Sequence, residues 1–189
     1  LSPGSAVTGL WAPLVYEYPV DRLVQRAKFG HSLPVCHALG ELLVAGLERS
    51  TCPGPGLDGT PLVLPVPLHW QRQRQRGFNQ AAEIARVLAR ATGWPLRPGL
   101  LRRIRPTREQ SGLAAAIRRR NLRGAFAVAG PVAGRRVVLV DDVITTGATA
   151  AAAASALAAA GAAPIHVYAV ARACRRGPAV LQGEGALPR

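Results

Sequence analysis

In the stretch VVLVDDVITTGATA, Val137 to Ala150, an apolar run ends in two adjacent carboxylates. Asp141 and Asp142 stand where a buried strand would finish, and a strand core gains nothing from charge there. A turn made of Thr145, Thr146, Gly147, Ala148 and Thr149 follows. If that turn opens a helix, it offers unpaired backbone N–H groups, the positive end of the helix dipole and hydroxyl donors. This makes an anion site before any charged side chain is counted. Gly147 lets the backbone approach an anion or take a positive φ. The acids beside it can accept hydrogen bonds from sugar hydroxyls or hold a hydrated Mg2+. A ribose phosphate needs both chemistries at this spacing. The simpler alternative is an acidic strand end with an ordinary helix cap, but a cap takes one residue rather than a run of donors. Neighbouring strand residues face opposite sides, so Asp141 and Asp142 are expected to have unequal roles.

Other chemistries fare less well. An apolar run ending in Asp also suits a nucleoside-triphosphate site, which would need G-x-x-x-x-G-K-[ST]. Lys28 is the sole lysine and Phe29 follows it, so that loop is missing. GPGLDG, Gly54 to Gly59, fits G-x-G-x-x-G but contains Pro55 and precedes a strand, so it reads as a linker. His31, Cys36 and His37 lie close together, yet three ligands at irregular spacing read as core or surface residues rather than a metal centre. Neither G-x-S-x-G nor H-E-x-x-H occurs.

The elements that must position the acids alternate in type. Helices are predicted near Asp21 to Phe29, through VCHALGELLVAGLER after Pro34, and from Asn79, a plausible N-cap, to just before Gly93. Leu62 to Pro67 reads as a buried strand ended by proline, and QRQRQRGFNQ as a polar loop. LLRRIR and AFAVAG are β-like, LAAAIRRRNLRG is helical, and RRVVLV is the strongest strand. An alanine helix then runs to Gly161 and Pro164, and IHVYAVAR is the last strand. Strands alternating with helices imply a mainly parallel α/β sheet covered on both faces.

Composition sets the bounds. The 189 residues are 49% hydrophobic but only 5% aromatic, so the core must be mostly Ala, Val and Leu. A formal charge of +14, almost all arginine, favours anionic partners, although genome bias toward arginine gives the same sum. Cys36, Cys52 and Cys174 are sparse and odd in number, which fits a reducing cytoplasm better than a disulfide framework. No secretory signal opens the chain and no membrane segment is expected.

VVLVDDVITTGAT resembles the signature of type I phosphoribosyltransferases, which bind 5-phosphoribosyl-1-pyrophosphate (PRPP). RAKFG, VPVPLHWQRQRQRGFNQ and RPTREQSGLAAAIRRRNLRGAF extend the likeness to the competence protein F family, from Tyr16 to about Val170. The resemblance implies a type I phosphoribosyltransferase-like domain over residues 1–172, with 173–189 a flexible basic tail. Many members carry an N-terminal four-cysteine zinc module with no counterpart here. With the absence of methionine, this implies a shortened form. Carried over by residue, the likeness gives Asp141 and Asp142 the ribose hydroxyls and an indirect Mg2+ contact, and Thr145 to Thr149 the 5′-phosphate. Arg76 and Gly77 fall in the pyrophosphate loop, with Arg72 and Arg74 aligned beside Arg76 if the chain is extended there. Thr107 and Gln110 fall in a mobile loop that closes over PRPP. Lys28, in KFG, either reaches a phosphate or buries its stem on the sheet. The implied activity is Mg2+-dependent pentosyl transfer to an unidentified acceptor. The alternative is a DNA-uptake accessory that binds single-stranded DNA or the competence machinery, with Arg118, Arg119 and Arg120 as contacts. A homodimer is also admitted.

Overall fold

A computed structural model describes residues 5–50, 59–106, 122 and 124–173. The strongest predicted strand is its centre. β6 (Val137–Ile144) runs parallel to β7 (Ile165–Arg172) on one side and to β3 (Leu62–Pro65) on the other. Their Val, Leu and Ile residues suit strands buried on both faces. Two short N-terminal strands, β1 (Gly9–Trp11) and β2 (Leu14–Val15), pair in parallel with β7 and complete the sheet. Sequence periodicity did not anticipate them, because runs this short carry no pattern.

One face of the sheet is covered by α1 (Val20–Phe29), α2 (Leu33–Arg49) and α4 (Gln80–Thr92), which pack on Val63, Val138, Val140 and Tyr168. The other carries α5 (Ala148–Ala159) and an antiparallel pair, β4 (Leu101–Arg103) with β5 (Phe126–Val128), over Leu62, Leu64, Val137 and Leu139. α5 is nearly all alanine. It is a strong helix former, and its small side chains let it lie close on the sheet, burying Ala150, Ala153, Ala154 and Leu157. The predicted caps of α4 form: the Asn79 side chain accepts a hydrogen bond from the Ala81 N–H, and Gly93 follows in the left-handed region.

One expectation is overturned. QRQRQR is not an extended loop but helix α3 (Trp70–Arg76). Glutamine and arginine are good helix formers, and Gly77, at φ 71°, ends the run. A helix turns about 100° per residue. Arg72 and Arg76 therefore share one side, while Arg74 goes to the other, where its guanidinium lies 5.7 Å from the Trp70 ring centre. The helix expected in LAAAIRRRNLRG, Arg118 to Arg120 within it, the GPGLDG segment up to Asp58, and the tail from Cys174 lie outside the described residues. Among the described residues no helix is long and apolar enough to cross a membrane.

Candidate functional site

The site lies at the carboxyl end of β6, where ligands of open parallel sheets gather. Strand alternation separates the two acids. Val137 and Leu139 belong to the α5 side and Val138 and Val140 to the α1–α2–α4 side. Asp141 thus continues the first row and Asp142 the second. Asp142 is buried, at 7% exposure, and its Oδ2 lies 3.1 Å from Lys28 Nζ on α1. Asp141 is half-buried and also feels the positive charge of Arg103 on β4. Burial, then the neighbouring Asp142 carboxylate, push the Asp141 carboxyl up to about 7. Lys28, the Asp142 N–H and Arg103 oppose that rise. Asp141 Oδ1 accepts the Asp142 N–H at 2.9 Å, and Asp142 Oδ1 accepts the Val143 N–H at 2.7 Å. The acids are unequal, as strand geometry requires: one is locked in an ion pair, the other is poised near neutrality.

The turn after β6 lies at the surface. Thr145 and Thr146 are exposed, Gly147 and Thr149 half-buried, and Ala148 buried. Gly147, at φ 72°, is the N-cap residue of α5, in a conformation that favours glycine. Thr146 Oγ1 accepts weakly from the Ala148 N–H at 3.4 Å. The exposed Thr145 and Thr146 thus stand at the N-terminus of α5, on the strand end that carries the acids.

The end of α1 brackets the rest. Lys28 holds Asp142, and Phe29, next to it, carries the Arg76 guanidinium 5.4 Å from its ring centre. Gln80 Nε2 donates to the Ala27 carbonyl at 3.2 Å, while its Oε1 accepts from Arg76 Nη1 at 3.4 Å. Lys28, Asp142 and Arg76 thus gather around one helix terminus. Thr107 and Gln110 lie outside the described residues.

His31 is a residue that sequence reasoning passed over, weighing it only as a metal ligand. Its φ is 48°, the one positive value among described residues other than glycine, and its Nδ1 lies 3.0 Å from the Arg76 carbonyl. A carbonyl only accepts, so Nδ1 carries the proton and donates. Histidine is among the residues enriched in the left-handed region, but nothing in the sequence marks the turn. His31→Gly should keep the thermal midpoint near wild type, since glycine suits that φ. Hydrogen exchange over Arg76 to Phe78 should quicken about fivefold, the worth of one bond. His31→Asn, with a donor at the same bond count and tolerance of the left-handed region, should restore protection. Nearby Cys36 is buried, and burial pushes its thiol up to about 11, so it is no thiolate at neutral pH. Among the described residues no three His, Cys, Asp or Glu side chains cluster as a metal site.

A mainly parallel α/β sheet with an acid pair and a threonine–glycine turn at its central strand end defines a class that known relatives make specific. The family model for the phosphoribosyl transferase domain matches residues 75–181, more than half of the chain. A DNA utilization protein of Escherichia coli O157:H7 is 37% identical over 169 residues, covering 86% of this chain and 73% of its own. Competence protein F of Haemophilus influenzae is 37% identical over 161 residues, covering 84% and 70%. Among solved structures, the glutamine PRPP amidotransferase of B. subtilis, complexed with ADP and GMP, is 28% identical with a TM-score of 0.47. That match covers 74% of this chain but only 26% of the amidotransferase. The chain belongs to the phosphoribosyltransferase-domain family and, within it, to the competence protein F group.

Proposed function

We propose that the strand-end cleft binds PRPP with Mg2+, and that the domain spanning residues 1–172 transfers the phosphoribosyl group to an acceptor. The observation that carries this reading is the pairing of a threonine–glycine turn, exposed at Thr145 and Thr146, with Asp141 on the same strand end. Thr145, Thr146, Thr149 and the N–H groups of Gly147 and Ala148 would receive the 5′-phosphate. Asp141 would accept hydrogen bonds from the ribose hydroxyls, and Asp142, held by Lys28, would fix its position from behind. Arg76 and Gly77 would meet the pyrophosphate, with Thr107 and Gln110 closing over it. A nucleophile on the acceptor then forms a bond to the anomeric carbon, and the bond to pyrophosphate breaks with its electron pair leaving on oxygen. An oxocarbenium-like transition state makes fixed anions near the ribose favourable.

The residues fit Mg2+ in one manner. Asp142 is already engaged by Lys28, and Asp141 points to the other face, so the pair does not form a dedicated carboxylate cage. This ion keeps waters and commonly rides on substrate phosphates with one or two carboxylates nearby, a role open to Asp141. Bound there, it would neutralise charge on the departing pyrophosphate.

Calorimetric titration of PRPP with Mg2+ tests the reading. Wild type should bind, and Asp141→Asn should weaken binding at least about tenfold through lost charge-assisted hydrogen bonds. A wild type that does not bind, or an unchanged variant, would refute it. Pyrophosphate release during an acceptor screen then identifies the reaction.

The names of the relatives, DNA utilization protein and competence protein F, together with the +14 charge, support a second reading. In it the chain serves DNA uptake by binding single-stranded DNA, and the PRPP site is a sensor or relic. Affinity for an oligonucleotide should then fall steeply with salt.

A further inference from the structure

A cavity of about 520 Å3 opens on the far side of α3, beyond the edge strand β3. Among the described residues neither acid nor any residue of the Thr145–Thr149 turn lines it; it shares Gly77 with the proposed PRPP site and is lined by Arg103, whose charge acts on Asp141. Its volume lies within the range of small-molecule sites. The lining is unlike an ordinary surface groove. Trp70 forms one wall and is 57% exposed, an unusual position for the largest apolar side chain. Arg74 covers one face of the Trp70 indole. Phe78, Leu68, Leu101, Ala82 and three prolines complete the apolar part.

Charge is divided across this space. Glu83 lies on the α4 side, already ion-paired with Arg86. Among the described residues the β4 side supplies Arg102 and Arg103, and no acid. Arg102 is exposed and spends its Nε on the Gly99 carbonyl at 3.4 Å, leaving its two Nη groups as a fork toward solvent. A ligand here would place a flat ring against Trp70 and an anion against Arg102, away from Glu83. An aromatic platform beside an arginine fork fits a nucleobase joined to a phosphate.

We propose that this cavity is a nucleotide site separate from the PRPP cleft, with Trp70 stacking on the base and Arg102 binding the phosphate. It uses neither Asp141 nor the phosphate turn, so it stands or falls independently of the transferase reading. The ligand is a nucleobase with its adjoining phosphate, either as a free mononucleotide or as the 5′ end of a single strand.

Tryptophan fluorescence reports on it directly. Trp11 and Trp94 are half-buried against Tyr168, with ring centres 5.4 and 6.4 Å away, which leaves Trp70 as the solvent-facing indole. AMP should quench emission saturably, and Trp70→Phe should abolish the quench. By calorimetry, Arg102→Gln should weaken AMP about tenfold, as expected for one lost charged hydrogen bond, while leaving adenosine within about twofold. The AMP quench should survive saturating PRPP and persist in Asp141→Asn. A 5′-phosphorylated oligodeoxyadenylate is compared with AMP: tighter binding assigns the site to strand ends, weaker binding to free nucleotide, and either agrees with the proposal. Absence of saturation at about 1 mM AMP, a quench that remains in Trp70→Phe, equal losses for AMP and adenosine in Arg102→Gln, or displacement by PRPP would each overturn it.

Discussion

Asp141→Asn should stabilise the fold at pH 8 while weakening PRPP binding. The Asp141 carboxyl is pushed from 3.8 to about 7, first by burial and then by the Asp142 carboxylate. A raised carboxyl favours the protonated form in the folded state. Between the two values the folded chain therefore holds more protons than the unfolded one, and stability falls as pH rises. Below about pH 4 both states are protonated and the penalty vanishes; above pH 7 it is fully developed. Asparagine is neutral at every pH and keeps an Oδ1 that can accept the Asp142 N–H. In metal-free buffer, thermal unfolding of the variant should exceed wild type at pH 8 by roughly 1–2 kcal/mol, or about 2–8 °C for a chain of this size. At pH 4 the two should coincide. A variant less stable than wild type at pH 8 would mean that Asp141 is held as a structural anion. The opposite signs on stability and binding would mark Asp141 as a group kept for its chemistry at the fold's expense.

The parts of the site that could be read from sequence are those whose cause is local. The Val137 run, the acids at its end and the glycine at the start of α5 lie within one strand–turn–helix, so alternation and cap chemistry were enough. Even the inequality of Asp141 and Asp142 followed from the two-residue period of a strand. The Asn79 cap and the Gly93 stop were visible for the same reason. What escaped depends on distant partners. β1 and β2 exist because β7 offers them an edge, and their own residues show no periodicity. α3 buries no residue, so it lacks the apolar stripe by which helices are recognised, and its arginines were assigned to a side that an extended chain would have given them. The left-handed His31 and its bond to the Arg76 carbonyl need two segments that meet only in the folded chain. The charge of Arg103 acts on Asp141 from a strand pair whose place in the fold no spacing rule supplies.

Lys28 shows most sharply how a missing partner changes a residue's meaning. From sequence it either reached for a phosphate or buried its stem; in the fold its ammonium lies 3.1 Å from Asp142, with the two side chains 24% and 10% exposed. Lys28→Met keeps the stem and removes the charge, leaving Asp142 as an uncompensated, nearly buried carboxylate. Breaking a buried pair from one side costs about 3–5 kcal/mol; because Lys28 still touches water, the loss at pH 7 should be roughly 1–3 kcal/mol. Asp142→Asn should cost less, since the lysine it frees can turn to solvent on its flexible stem. The double variant Lys28→Met/Asp142→Asn carries no stranded charge, and its denaturant midpoint should return close to wild type, so that the coupling energy approaches the sum of the two single losses. Strictly additive losses would mean that the pair contributes nothing and that Lys28 is held by its stem. PRPP titration of the double variant then separates scaffold from ligand contact. If stability returns while affinity stays low, Lys28 or Asp142 also touches the ligand; if both return, the ion pair only braces the strand end that presents Asp141.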